Sequence, residues 1–403
     1  MRIKELFLIC LVTIISVTIF IYSLDSNNLF IQQKQSDKKE LPKNPLDGRI
    51  VFERNNCINC HSINGFGGKT APDFNSENFL SGDYELITDM WNHSPKMFKM
   101  IDQMNAKQQK MSTEDFRELR YFIAFLGYMS KNGSVSKGKD LFAQMNCVKC
   151  HSVGKPVAGK INLDKSENYS SSIYLAQVMW NHAAEMHKKQ KESNIKIPVF
   201  KGNEFASLAA YLESISTPGK KNKTLMYPGN PIQGEKLFNN KNCAYCHLKE
   251  KIGAPLDKIN LHKSVNEIAG MMWNHSTFMV SAMWENKISW PSFKENEMGN
   301  LIAYLYFYNN DRVNGSVEEG QKLLTSKGCI GCHYKGNPNK TINASDIMAS
   351  ENIDEFFSKL WNHIPLIEKE FYTKGLELPK LIPQDVKSMY LYFNRVQRRI
   401  NLK

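Results

Sequence analysis

No stretch of this sequence alternates apolar and polar residues convincingly enough for a β-strand, which argues against a sheet-based fold. General disorder is excluded too: apolar residues make up 42% and aromatic residues 11% of 403 residues, enough to bury cores. Unpaired cysteine is nearly absent. Of 9 cysteines, eight form the couples Cys57/Cys60, Cys147/Cys150, Cys243/Cys246 and Cys329/Cys332, and Cys10 alone stands outside them. A nucleic-acid motif is missing despite a formal charge of +12, because the basic residues gather in Lys- and Asn-rich linkers, so no nucleic-acid partner is expected. The length alone allows about two to four domains.

At the N-terminus, Leu6 to Leu24 is a run of 19 residues without a charge, preceded by Arg2 and Lys4. That is long enough to cross a bilayer, and the leading positive residues favour a cytoplasmic N-terminus with an exported body. A secretory signal peptide is the competing reading, but no small-x-small cleavage site follows. The expectation is an anchoring transmembrane helix over 1–24, with Cys10 as apolar filler, and a polar stalk over 25–44.

The remainder repeats four times. A glycine stands nine residues before the first cysteine of each couple (Gly48, Gly138, Gly234, Gly320), followed four residues later by Phe52, Phe142, Phe238 or Leu324. Trp-Asn-His recurs at 91–93, 180–182, 273–275 and 361–363. Each repeat closes on apolar residues at helical spacing, such as Phe116, Leu119 and Ile123, or Met298, Leu301, Ile302 and Leu305. Polar Gly-, Asn- and Ser-rich stretches separate the repeats. The predicted domains are therefore 45–131, 134–216, 229–310 and 314–403, each too small for a large core of its own.

Every couple reads CxxC followed directly by histidine: His61, His151, His247 and His333. In CxxCH, two thiols can add to the vinyl groups of one haem while the adjoining imidazole reaches its iron. Structural zinc needs four ligands, usually from knuckles close in sequence, and a redox dithiol expects a βαβ setting. Disulfides are possible in an exported protein. None of these readings predicts a histidine after the second cysteine four times over.

With these motifs the chain resembles the small, helical class I type of cytochrome c domain, four in tandem over roughly residues 45 to 400. The resemblance implies an all-α fold of four cytochrome c-like domains, each with one covalent haem c. Cys57, Cys60, Cys147, Cys150, Cys243, Cys246, Cys329 and Cys332 would attach the haems, and the four CxxCH histidines would be the proximal iron ligands. It also implies that the first and last helices of each domain touch at the repeated glycine, with Phe125, Tyr211, Tyr304 and Tyr392 as the closing-helix aromatics.

One departure from the family is functional. The family's distal methionine precedes the closing helix, commonly before a proline, yet Ile197-Pro198, Trp290-Pro291 and Leu378-Pro379 contain no methionine. The distal candidates are His93, His182, His275 and His363, one in every repeat. Met97, Met186 and Met279 lie one turn further along the same helix face, with Ile367 in the fourth repeat. The histidines are preferred because only they serve all four haems. The tryptophans are expected to pack on the porphyrin or donate to a propionate, with the asparagines as nearby hydrogen-bond partners. His187 and His262 do not recur and are expected at the surface. Met104, Met111, Met271 and Met283 are expected as soft filler.

The function implied is outer-sphere electron transfer by a membrane-anchored, periplasm-facing tetrahaem cytochrome rather than catalysis. Its partners would be redox proteins with an acidic docking face. The alternatives are a haem enzyme, a peroxidase or small-molecule reductase with one open haem, and an electron-transfer subunit of a larger oxidoreductase.

Overall fold

The computed structural model describes residues 40–74, 82–105, 109–129, 133–163, 171–215, 228–249, 252–261, 263–308, 313–333 and 350–401. The chain is mostly helical, as all-α patterning predicts. Strand is limited, among the described residues, to two pairs of two-residue strands beside CxxCH: Ser62–Ile63 with Phe66–Gly67, and His151–Ser152 with Ile161–Asn162. No described helix is long and apolar enough to cross a membrane. The expected membrane helix, 1–24, lies outside the described residues, as does His262.

The helices fall into four modules. Module 1 comprises α1 (Gly48–Arg54), α2 (Asp83–Gln103) and α3 (Thr113–Tyr128). Module 2 has α4 (Val135–Gln144), α5 (Ser172–Asn181), α6 (Ala183–Glu192) and α7 (Glu204–Ile215). Module 3 has α8 (Pro231–Asn240), α9 (Val265–Asn274), α10 (Ser276–Glu285) and α11 (Glu297–Tyr308). Module 4 has α12 (Val317–Ser326), α13 (Ile353–Thr373) and α14 (Pro383–Asn401).

In each module the first helix crosses the last: α1 on α3, α4 on α7, α8 on α11, α12 on α14. The repeated glycine sits at the crossing. A Cβ on Gly48, Gly138, Gly234 or Gly320 would collide with the backbone carbonyl of Glu118, Ser207, Asn300 or Ser388 on the closing helix. The aromatic beside that contact is Tyr211, Tyr304 or Tyr392 in modules 2 to 4, and in module 1 it is Phe122. Phe125 is one turn off that register and faces a different core. Caps fix where the first helices begin: Ser134, Asn230 and Ser316, each four residues ahead of the glycine, accept a backbone N–H of the first turn. The closing helix reaches back to hold the capping residue's own N–H, through Ser207 Oγ at 3.2 Å, Asn300 Oδ1 at 2.7 Å and Ser388 Oγ at 3.1 Å.

Modules do not pack in chain order. One hydrophobic core joins module 1 to module 4, and a second joins module 2 to module 3. The two are bridged by α3 and α11. Tyr121, Ala124, Phe125 and Tyr128 of α3 belong to the core of modules 2 and 3, while Phe116, Leu119, Phe122 and Ile123 belong to that of modules 1 and 4. Accordingly every residue from 119 to 128, and from 301 to 307, is buried, as expected of helices covered on all sides. The Tyr306 hydroxyl donates to the Ala124 carbonyl at 2.7 Å, and its ring lies 4.9 Å from that of Tyr128. The spatial order is therefore 4–1–3–2.

Between modules 1 and 4, Arg120 is 3% exposed and holds two buried carboxylates, Asp83 at 2.6 Å and Asp354 at 2.7 Å. Both acids lie in the first turn of a middle helix, α2 or α13, where a negative charge also meets the positive end of the helix dipole.

Candidate haem sites

The residue before each first cysteine has a positive φ: Asn56 at 61°, Asn146 at 62°, Asn242 at 63° and Gly328 at 78°. Asparagine and glycine are the residues that tolerate this conformation, so the first helix stops there and the chain turns directly into CxxCH. The turn is closed by the His61 N–H to the Cys57 carbonyl at 2.9 Å and by the His333 N–H to the Cys329 carbonyl at 3.1 Å. This Asn or Gly is a signal visible in the sequence of all four repeats. Inside the turn the first thiol faces the apolar interior. Burial pushes Cys57 up to about 12, and Cys147 and Cys243 up to about 11.

The second cysteines differ in exposure: Cys150 is exposed to solvent, whereas Cys60, Cys246 and Cys332 are half-buried. The Cys332 Sγ accepts from the Lys374 ammonium of α13 at 3.4 Å.

In module 1, Cys57, Cys60, His61, His93 and Met97 line one cavity of about 430 Å³, together with Trp361 from module 4. This volume lies in the range of cofactor pockets, roughly 300 to 1,000 Å³. Across the equivalent space in module 3, the His247 and His275 rings are 6.4 Å apart, and in module 4 those of His333 and His363 are 5.9 Å apart. A metal bonded to both inner nitrogens at about 2.0–2.1 Å would hold two ring centres about 6 Å apart. In module 2, His151 lies near enough to His182 to feel its charge.

The outer nitrogens of His61, His93, His182, His247 and His275 are already committed. His61 Nδ1 lies 2.9 Å from the Pro72 carbonyl and His247 Nδ1 3.0 Å from that of Ala254. His182 and His275 point Nδ1 at the carbonyl one turn back, Val178 at 2.8 Å and Met271 at 2.5 Å, and His93 bonds Asp89 likewise. A carbonyl can only accept, so the proton sits on Nδ1 and Nε2 keeps a lone pair for a metal. Burial pushes the pKa values of His61, His93, His151, His275 and His363 down, favouring the neutral, ligating form.

Trp and Asn of the triplet do something else. Residues two apart on a helix point about 200° away from each other, so histidine faces its own cavity while tryptophan faces outward. The outward face meets the neighbouring module. The indole N–H of Trp91 donates to the Pro379 carbonyl at 2.8 Å, that of Trp180 to Pro291 at 2.9 Å, and that of Trp273 to Pro198 at 2.9 Å. The asparagine amide then pairs twice with the backbone two residues beyond the proline. Asn181 donates to the Phe293 carbonyl at 2.9 Å and accepts its N–H at 2.8 Å, and Asn274 does the same with Phe200 at 2.7 and 2.8 Å. Asn92 pairs with Leu381 at 2.8 and 2.9 Å, and Asn362 with Met111 at 2.8 and 3.0 Å.

These loops, X-Pro in modules 2 to 4 and the Met111 segment in module 1, thus clamp the partner module's middle helix. They do so reciprocally within modules 2 and 3 and within modules 1 and 4. The three indole N–H groups are taken up by proline carbonyls rather than offered to a propionate, and Trp361 packs 5.5 Å from Phe98. His187 is 7% exposed, not superficial: its Nε2 lies 2.7 Å from Ser276 Oγ and its ring 5.1 Å from Trp273, in the seam between modules 2 and 3. Met111 is buried and Met104 exposed, so the filler role fits only the first of these two. Among the described residues no three His, Cys, Asp or Glu side chains converge as a zinc cage would require. Compared with family models, curated proteins and solved structures, the chain gives no match, and the site rests on its own geometry.

Proposed function

We propose that the chain is a membrane-anchored tetrahaem cytochrome of four class I type domains, carrying electrons one at a time on the periplasmic side. The observation that carries this reading is the facing imidazole pair, CxxCH histidine against WNH histidine, at a ring separation suited to one metal between them. Cys57 and Cys60, Cys147 and Cys150, Cys243 and Cys246, and Cys329 and Cys332 would tether four haems c. His61, His151, His247 and His333 would ligate from one side, and His93, His182, His275 and His363 from the other. When bound, such haems would supply reversible one-electron oxidation and reduction.

The protein's own part is positional. Backbone carbonyls hold His61, His93, His182, His247 and His275 in one tautomer, apolar walls of Phe52, Leu119 and Ile123 exclude water in module 1, and the thiols would tether the cofactor. A buried first thiol with a raised pKa is a poor redox nucleophile, which disfavours a dithiol oxidoreductase. The His333 and His363 pair supports six-coordination in module 4 too, where an open enzymatic haem would otherwise be sought. With eight propionates and four ferric centres the charge would fall from +12 to about +8, still suited to acidic redox partners and anionic lipid.

Export of the chain by a host with haem-attachment machinery tests the reading. The expected product carries the mass of four haems, and its low-temperature magnetic resonance spectrum shows low-spin bis-histidine iron. A product with the mass of the bare polypeptide overturns it.

A further inference from the structure

The asparagine of each triplet joins two functions that sequence adjacency alone does not connect. It is bonded to the partner module through both its amide and its carbonyl, and it directly precedes the histidine that faces the haem cavity. In modules 2 and 3 that histidine stands where the helix breaks. α5 ends at Asn181 and α6 begins at Ala183, with His182 at φ −101° and ψ 0°; α9 and α10 part in the same way at His275, φ −109° and ψ 8°. His182 and His275 still donate to the Val178 and Met271 carbonyls and accept from the Met186 and Met279 N–H groups, so what changes at each break is the backbone dihedrals rather than the hydrogen-bond ladder. The restraint just before each break is the asparagine pair with Phe293 or Phe200, reinforced by the tryptophan one residue earlier. In modules 1 and 4, α2 and α13 keep helical dihedrals through His93 and His363, although each carries a proline two residues later, Pro95 or Pro365.

The geometry points to Asn181 and Asn274 as positioning residues that hold His182 and His275 on their irons only while the opposite module's X-Pro loop is docked. On this assignment, which rests on the haem reading above, modules 2 and 3 are competent as a pair: each supplies the loop that sets the other's distal ligand. Where the methionine loop of a solitary domain would reach its own haem, these loops hold the neighbour's ligand helix.

The test uses the full haem-loaded chain with Asn181→Ala and, in parallel, Asn92→Ala. Covalent haem content is read by mass and iron spin state by low-temperature magnetic resonance. Asn181→Ala is expected to keep four haems while one of the four irons turns from low-spin to high-spin, and added free imidazole restores the low-spin signal. Asn92→Ala, in an unbroken helix, is expected to shift a smaller fraction. Four haems all still low-spin in Asn181→Ala, whatever happens to the melting temperature, reduces the asparagine to a packing role and overturns the assignment. If Asn181→Ala yields no folded protein, Asn274→Asp, which keeps the acceptor for the Phe200 N–H and loses the donor, is expected to give the same partial high-spin signal, and its absence overturns the assignment. A wild-type chain without haem removes the reading beneath; a wild-type chain with four low-spin haems and unresponsive variants removes this inference alone.

Discussion

Gly138 shows how little space separates the crossing helices, since a methyl group there would have to pass through the Ser207 carbonyl and the Tyr211 Cβ. Backbone on both sides cannot move aside as a side chain could. Gly138→Ala is expected to cost about 3 kcal/mol or more, an overpacking penalty at the upper end of the usual range. Gly331, inside CIGCH, has open space around the Cβ position and no left-handed conformation to protect. Gly331→Ala is the matched control, with a change of about 0.5 kcal/mol or less expected. Denaturant unfolding of the full chain measures both. The glycine spacing is legible in the sequence because its partner is fixed by the repeat. Phe125 and Phe122 are both aromatic, and only the crossing register, which the sequence does not display, separates them. The exposure of Cys150 is hidden likewise, since CxxC spacing is the same whichever way the second thiol turns.

Among the elements, α3 carries an unusual load, for it closes module 1, contributes to both cores and brings Arg120 between α2 and α13. Removing the guanidinium takes the close ion-pair partner from Asp83 and leaves Asp354 with only Arg117 at 3.4 Å, so Arg120→Met is expected to destabilise by about 3 kcal/mol. Replacing the acids as well, in Arg120→Met/Asp83→Asn/Asp354→Asn, leaves no orphan charge and is expected to recover most of that loss. Thermal unfolding of the two variants against wild type gives the comparison. CxxCH can be read from sequence because its members are contiguous. The clamp cannot: Trp91 and Pro379 stand 288 residues apart, and the proline contributes a backbone carbonyl, which leaves no side-chain signature. Arg120 is hidden for the same reason, as Asp354 lies 234 positions away. The recurrence of Trp-Asn-His announces a shared task without naming its partner.

On the scale of the molecule, two module pairs meet along the aromatic seam of α3 and α11, where Tyr121 and Phe307 rings lie 5.3 Å apart and Tyr306 bonds Ala124. Tyr306→Phe keeps the ring packing and removes one neutral hydrogen bond, for an expected loss of about 1 kcal/mol, read from denaturant unfolding. The order 4–1–3–2 also governs how the chain assembles. Modules 2 and 3 are neighbours in synthesis and can dock as soon as both emerge, but module 1 must wait for the last segment to arrive. Until then its Trp91 and Asn92 present an unfilled bonding edge, and the same loop on another nascent chain would satisfy it equally well. Synthesis at high local concentration therefore favours exchange of module 4 between copies, a hazard that a string of sequentially paired beads would not share.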